Sequence, residues 1–195
     1  METPSRIRCE DITEELAQKY EEKGYQLVFQ EYVMEHNLET VPELVTSQPF
    51  VFRSWSTELE GEFYALYYQC FKERPGFPQW SMDEWIDRVS SDTNFRPDLS
   101  YIVSLDNKNM GFITADNDAE DPEFDTHAYI VQIGVMPEWR RKGIASILTT
   151  KYLAACRGEG KKGVILHVNR NNPGAIKLYE GLGFKTVRTR GTFEK

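Results

Sequence analysis

The 195-residue chain is poor in cysteine and histidine and has no long apolar run, and each shortage removes a class of explanation. Its three cysteines, Cys9, Cys70 and Cys156, stand far apart and form neither a CxxC redox pair nor a zinc knuckle. No bound metal and no disulfide framework are therefore expected, and a reducing, cytoplasmic setting is. No stretch approaches the ~18 consecutive apolar residues of a membrane-crossing helix, so no membrane partner is expected. The opening Met1-Glu2-Thr3-Pro4-Ser5-Arg6 lacks the basic start and apolar run of a secretory signal. Low-complexity segments are absent too. With 40% hydrophobic and 28% charged residues, the composition is that of a core-forming chain, one α/β domain or a compact domain with an extension.

The formal net charge of −8 hides an asymmetry. Residues 1–125 carry 10 Lys and Arg against 27 Asp and Glu, whereas residues 126–195 carry 13 against 4. A basic C-terminal part on an acidic protein points to a local anionic ligand rather than to nucleic acid, although solvated surface charge gives the same count.

Patterning places a helix over residues 12–22, stopped by Gly24, and a strand over 25–33. A polar connection, a short strand at 50–53 and a helix over about 56–72 follow, the helix with a core stripe of Tyr64, Tyr67, Tyr68 and Phe71. Ser81-Met82-Asp83-Glu84 is a capping box that opens another helix. Asp106-Asn107-Lys108-Asn109 separates strands 101–105 and 110–114 as a hairpin. An acidic loop, 116–125, leads to an apolar strand, 128–135. Then come a helix over about 143–157, a strand over 163–168, a helix over 173–182 and a strand from Phe184. The pattern is mixed α/β.

Two stretches carry chemistry. In Val135-Met136-Pro137-Glu138-Trp139-Arg140-Arg141-Lys142-Gly143-Ile144-Ala145, a strand ends, three cations follow and a helix opens on Gly-x-Ala. A helix start presents about four unpaired N–H groups and a positive dipole end, and small residues let a diphosphate approach the backbone. An ordinary helix start with basic surface residues has the same composition. The second stretch is Asn172-Pro173-Gly174-Ala175-Ile176-Lys177-Leu178-Tyr179-Glu180-Gly181-Leu182-Gly183-Phe184. Its Asn172, Ala175 and Tyr179 recur at three and four residues and share one helix face.

Together these stretches resemble the signatures of the GNAT superfamily of acyl-CoA-dependent N-acyltransferases, Q/R-x-x-G-x-G/A and N-x-x-A-x-x-L-Y-x-x-x-G-F. The resemblance covers about residues 48–195. It implies a mixed sheet with helices on both faces, whose fourth and fifth strands, 128–135 and 163–168, splay apart. It also implies acetyl-CoA as co-substrate, with the diphosphate on Arg140, Arg141, Lys142, Gly143, Ile144 and Ala145. The pantetheine arm would run along Ile133 and Val135, with Asn172 hydrogen-bonding the arm and Ala175 leaving it room. Tyr179 stands where the family has its general acid, although a packing role suits a tyrosine on an amphipathic helix equally. For the base, His127, Tyr129 through water, or Asp125 could serve, with His127 named first; His36 and His167 receive no role. The implied activity is acetyl transfer to a primary amine of a small molecule or protein by direct attack on the thioester, in a monomer or homodimer. The alternative is a non-catalytic acyl-CoA sensor.

Tyr20-Glu21-Glu22-Lys23-Gly24-Tyr25 echoes Tyr179-Glu180-Gly181-Leu182-Gly183-Phe184. Residues 1–46 therefore read as a helix-strand extension, the tail of a first repeat or an unrelated addition, before a domain over 47–195. Pro78-Gln79-Trp80 and Phe95-Arg96-Pro97-Asp98 resemble the C-terminal repeat of the mycothiol synthases. Tyr129 and Asn169 stand where those enzymes carry acidic residues, so the fold and acetyl-CoA are carried over and the thiol sugar is not.

Overall fold

A computed structural model of the chain describes residues 5–44, 46–117 and 122–195; residues 118–121 of the acidic loop lie outside the described residues. Among the described residues the strands and α-helices follow in the order β1 (Arg6–Cys9), α1 (Glu14–Glu22), β2 (Gln26–His36), β3 (Val51–Ser54), α2 (Glu60–Phe71), α3 (Met82–Ser90), β4 (Tyr101–Leu105), β5 (Lys108–Asp116), β6 (His127–Val135), α4 (Ile144–Gly158), β7 (Gly163–Asn169), α5 (Pro173–Gly181) and β8 (Lys185–Glu194). The fold is mixed α/β, as the patterning and the resemblance imply. The chain divides into two compact units, one made of the described residues up to 36 with 165–195, the other of 37–164.

In the unit 37–164 the strands lie in the order β6-β5-β4-β3, joined by antiparallel ladders. Asp106 and Asn107 both take positive φ, 50° and 59°, which a two-residue hairpin turn demands. The turn is thus tighter than the four residues expected, and Lys108 and Asn109 already belong to β5. Ile102 and Phe112 face a core built with Trp55, Phe63, Tyr67 and Trp85 beneath α2 and α3. Tyr101, the neighbour of Ile102, lies on the opposite face, where Lys151 of α4 stands 5.2 Å from its ring. Helices therefore cover both faces of these strands.

The buried stripe of α2 is Phe63, Leu66, Tyr67 and Cys70. It is rotated from the expected one, and Tyr68 is 41% exposed. Tyrosine permits this because its ring packs while its hydroxyl stays polar: Tyr64 donates to the Trp80 carbonyl at 2.8 Å. The capping box is formed, Ser81 and Glu84 each accepting from the other's backbone N–H. Arg96 ties Asp98 to Glu159, 2.7 Å from each carboxylate.

The other unit has strand order β1-β8-β2-β7. β1 was not foreseen; four residues with two arginines give no readable alternation. Two β-α-β runs, β1-α1-β2 and β7-α5-β8, repeat each other at a constant spacing. Thr13 caps α1 by accepting from the Leu16 N–H, and Asn172 caps α5 by accepting from the Ala175 N–H, both at 3.2 Å. The Tyr25 N–H reaches the Tyr20 carbonyl and the Phe184 N–H the Tyr179 carbonyl, both at 3.0 Å. Gly24 and Gly183 end the helices with φ of 82° and 99°, values open to glycine at little cost. The ladder between β2 and β8 obeys the same exchange. Gln26 faces Glu194 and Glu35 faces Lys185, and the two register shifts fall symmetrically about the pair Glu31 and Arg190.

Candidate active site

In β6 the backbone of Ile133 is registered against Ile113 and that of Val135 against Gly111. After Val135 the Met136 N–H bonds to the Met110 carbonyl at 2.9 Å, and one 3-10 turn, Pro137–Trp139, leads to the three cations. Arg141 and Gly143 then take φ of 62° and 81°. Positive φ is rare for arginine, and such strain persists where surroundings enforce it, often at ligand sites. A Cβ on Gly143 would meet nothing within 4 Å. Glycine is therefore needed there for the turn of the backbone rather than for room among neighbours. The first intrahelical bond of α4 runs from the Ile147 N–H to the Gly143 carbonyl, so the N–H groups of Ile144, Ala145 and Ser146 have no partner within the helix.

The three cations differ in what they touch. Arg140 turns back on the protein, its Nε donating to the Val135 carbonyl at 3.2 Å and its Nη2 to the Cys70 carbonyl at 3.0 Å. It pins the turn to α2. Its backbone N–H is directed to the Pro137 carbonyl at 3.3 Å. Arg141 is exposed, and the Lys142 ammonium sits 4.6 Å from the centre of the Trp139 ring. Arg141 and Lys142, with the helix N-terminus, make an exposed positive surface suited to a diphosphate.

His127 opens β6 at 9% exposure, edge-on to Phe124 with ring centres 5.2 Å apart. It lies eight residues before Val135, roughly 26 Å at the ordinary strand rise. The strand thus brings Ile133, Val135 and the turn together and leaves His127 at its far end. Two polar groups nearer Val135 were missed. Thr114 and Gln132 face each other across β5 and β6. Among the described residues, the buried Thr114 Oγ1 and Gln132 Oε1 have no hydrogen-bond partner. A glutamine within an otherwise apolar strand was the readable signal.

Asn172 is the N-cap of α5, and Ala175 and Tyr179 lie four residues apart along that helix. Asn172 spends its side-chain oxygen on its own helix, which leaves its NH2 group to donate. Tyr179 is buried, with its ring edge-on to Phe184 at 5.6 Å, and burial pushes the phenol up to about 12. The buried thiols of Cys70 and Cys156 are likewise pushed up to about 12 by burial. As buried neutral thiols these two are poor nucleophiles.

Comparison with known proteins places these features in one group. The profile of the acetyltransferase (GNAT) family matches residues 54–184. The chain is 31% identical to a mycothiol acetyltransferase of Nocardiopsis dassonvillei over 150 residues, which are 74% of this chain and 43% of that protein. It thus spans less than half the length of this curated relative. Its fold matches that of a GCN5-related N-acetyltransferase from Sphaerobacter thermophilus at a TM-score of 0.78 and 19% identity, over 98% of this chain and 60% of that one. A further likeness is to AAC(6')-Iy, solved with the bisubstrate analogue CoA-S-monomethyl-acetylneamine, at a TM-score of 0.56 and 18% identity over 71% of this chain and 92% of that one. With the profile running from the end of β3 through the Tyr179 helix, the chain belongs to the GNAT family of acetyltransferases.

Proposed function

We propose that the protein transfers an acetyl group from acetyl-CoA to a primary amine by direct attack of the amine on the thioester. The observation that carries this reading is the turn before α4, where Arg141 and Gly143 both take positive φ and the exposed Arg141 and Lys142 directly precede the start of the helix. That arrangement suits a diphosphate. The arm would follow the backbone of Ile133 and Val135, with the Val135 N–H polarising the thioester carbonyl. Asn172 and Ala175 would take the arm along α5.

Tyr179 would protonate the departing thiolate. A phenol at about 12 facing a thiol near ~8.5 is uphill by about 5 kcal/mol. Exclusion of water raises the thiolate's proton affinity as well, which narrows the gap. The phenol therefore waits protonated, as a donor must. An attacking amine near pKa ~10 is only about 0.1% neutral at pH 7, so its proton needs an exit. From the far end of β6, His127 would serve through intervening groups or water rather than by contact.

The test is thiol release from acetyl-CoA over a panel of polyamines, aminoglycosides and peptide amines, beside calorimetry with acetyl-CoA. Release with a primary amine is expected. Binding without turnover on any amine would make the protein an acyl-CoA sensor, and absence of binding would remove the reading altogether.

A further inference from the structure

We infer that His36 is a positioning residue for Tyr179: from the end of β2 it holds the two residues to which the backbone of Tyr179 is bonded. The inference deepens the proposed function, because it rests on Tyr179 as the acid. His36 is 2% exposed. Its imidazole hydrogen-bonds to the backbone of Leu182 and meets the Phe184 ring edge-on at 5.2 Å. Its Nε2 lies 3.1 Å from where a Cβ on Gly183 would stand. The N–H groups of Leu182 and Phe184 both donate to the Tyr179 carbonyl, each at 3.0 Å, and Phe184 also packs against the Tyr179 ring. One side chain thus grips the helix end on both sides of the glycine that terminates it.

The repeat within this unit supplies an internal comparison. Lys195 is the counterpart of His36 and makes the same clamp on the other half. Its Nζ donates to the Lys23 carbonyl at 2.7 Å and lies 5.6 Å from the Tyr25 ring. Its Cε would be 3.5 Å from a Cβ on Gly24. Lys23, Gly24 and Tyr25 correspond to Leu182, Gly183 and Phe184. A long, flexible lysine therefore suffices where the helix carries Tyr20, and a short, buried histidine stands where it carries Tyr179. An imidazole has fewer rotamers to lose than a lysine and holds its partner with less play. Burial pushes the His36 pKa down, opposed first by its hydrogen bond to the Leu182 backbone and then by the Glu35 carboxylate.

The experiment labels the tyrosine rings with carbon-13 and assigns the Tyr179 signal by its loss in Tyr179→Phe. His36→Gln keeps an N–H donor, His36→Leu fills the space without one, and Lys195→Met removes the donor of the counterpart clamp. The Tyr179 signal should stay single and in place in His36→Gln and Lys195→Met, and shift or double in His36→Leu. With an amine from the panel, His36→Leu should lower kcat about tenfold at unchanged KM for acetyl-CoA, and lower it no further in a Tyr179→Phe background. An unmoved Tyr179 signal in His36→Leu overturns the inference, as does an equal movement in Lys195→Met, which would mean general loosening. If His36→Leu moves the signal but Tyr179→Phe leaves turnover intact, the role of Tyr179 as acid fails and the positioning stands.

Discussion

Glu31 and Arg190 face each other at the centre of the β2–β8 ladder, their carboxylate and guanidinium 2.8 Å apart and both largely buried. Loss of one partner strands a charge with little access to water. Arg190→Met should destabilise the fold by about 2–4 kcal/mol in urea unfolding. Arg6→Met removes an exposed arginine's pair with Glu194 and should cost less than about 1 kcal/mol.

Tyr179→Phe removes one hydroxyl and keeps the ring contact with Phe184. Turnover with an accepted amine should fall by roughly 10²–10⁴-fold while acetyl-CoA affinity holds. Near-normal turnover under conditions where chemistry limits the rate would leave Tyr179 a packing residue.

Gly143→Val would force a β-branched residue to φ of 81° in a position with open space around it. The turn rather than the packing should respond. Acetyl-CoA affinity is expected to drop at least tenfold by calorimetry, with stability lowered by about 1–2 kcal/mol. Arg140→Met should instead show mainly in stability, by about 1–3 kcal/mol, because it leaves the Val135 and Cys70 carbonyls without their donor.

Gly24→Ala and Gly183→Ala strain the same kind of helix end, and each should cost about 1–2 kcal/mol for its positive φ. They should not cost the same. The new methyl at 183 meets the His36 ring at 3.1 Å, whereas at 24 it meets the mobile end of Lys195 at 3.5 Å. Paired thermal melts in which Gly24→Ala proved the worse would contradict the tighter clamp on α5.

Asp98 and Glu159 are both held below the usual carboxylate range by hydrogen bonds to Arg96. A depressed folded-state pKa gives stability that is complete above the unfolded values, near ~4, and is lost as pH falls through the lower folded ones. Arg96→Leu should therefore lower stability at pH 7 and lose part of its deficit below about pH 4. A deficit independent of pH would show that the arginine acts through packing alone.

Elements with strong local signals were legible. The Ser81 capping box, the Gly24 stop and the strand before the cation turn all came from short-range patterns. β1 escaped because four residues at a sheet edge carry too little alternation, and arginine suits an exposed edge. The α2 stripe was read out of phase because tyrosine tolerates either side of the boundary between core and solvent. At the site, motif spacing located the turn and the Tyr179 helix. The inward grip of Arg140 on Cys70 and of His36 on Leu182 was not legible, since each joins residues far apart in sequence and neither leaves a periodic trace.

Arg6 pairs with Glu194 and Gln26 with the same residue from the other side of β8. The unit bearing Tyr179 therefore closes only after nearly all of the described chain has been synthesised, whereas the unit 37–164 is continuous and can form earlier. Contacts of such span are slow to find. On the ribosome, β1, α1 and β2 must wait, with their strand edges open, for a partner made some 150 residues later, the interval in which such edges are prone to mispair.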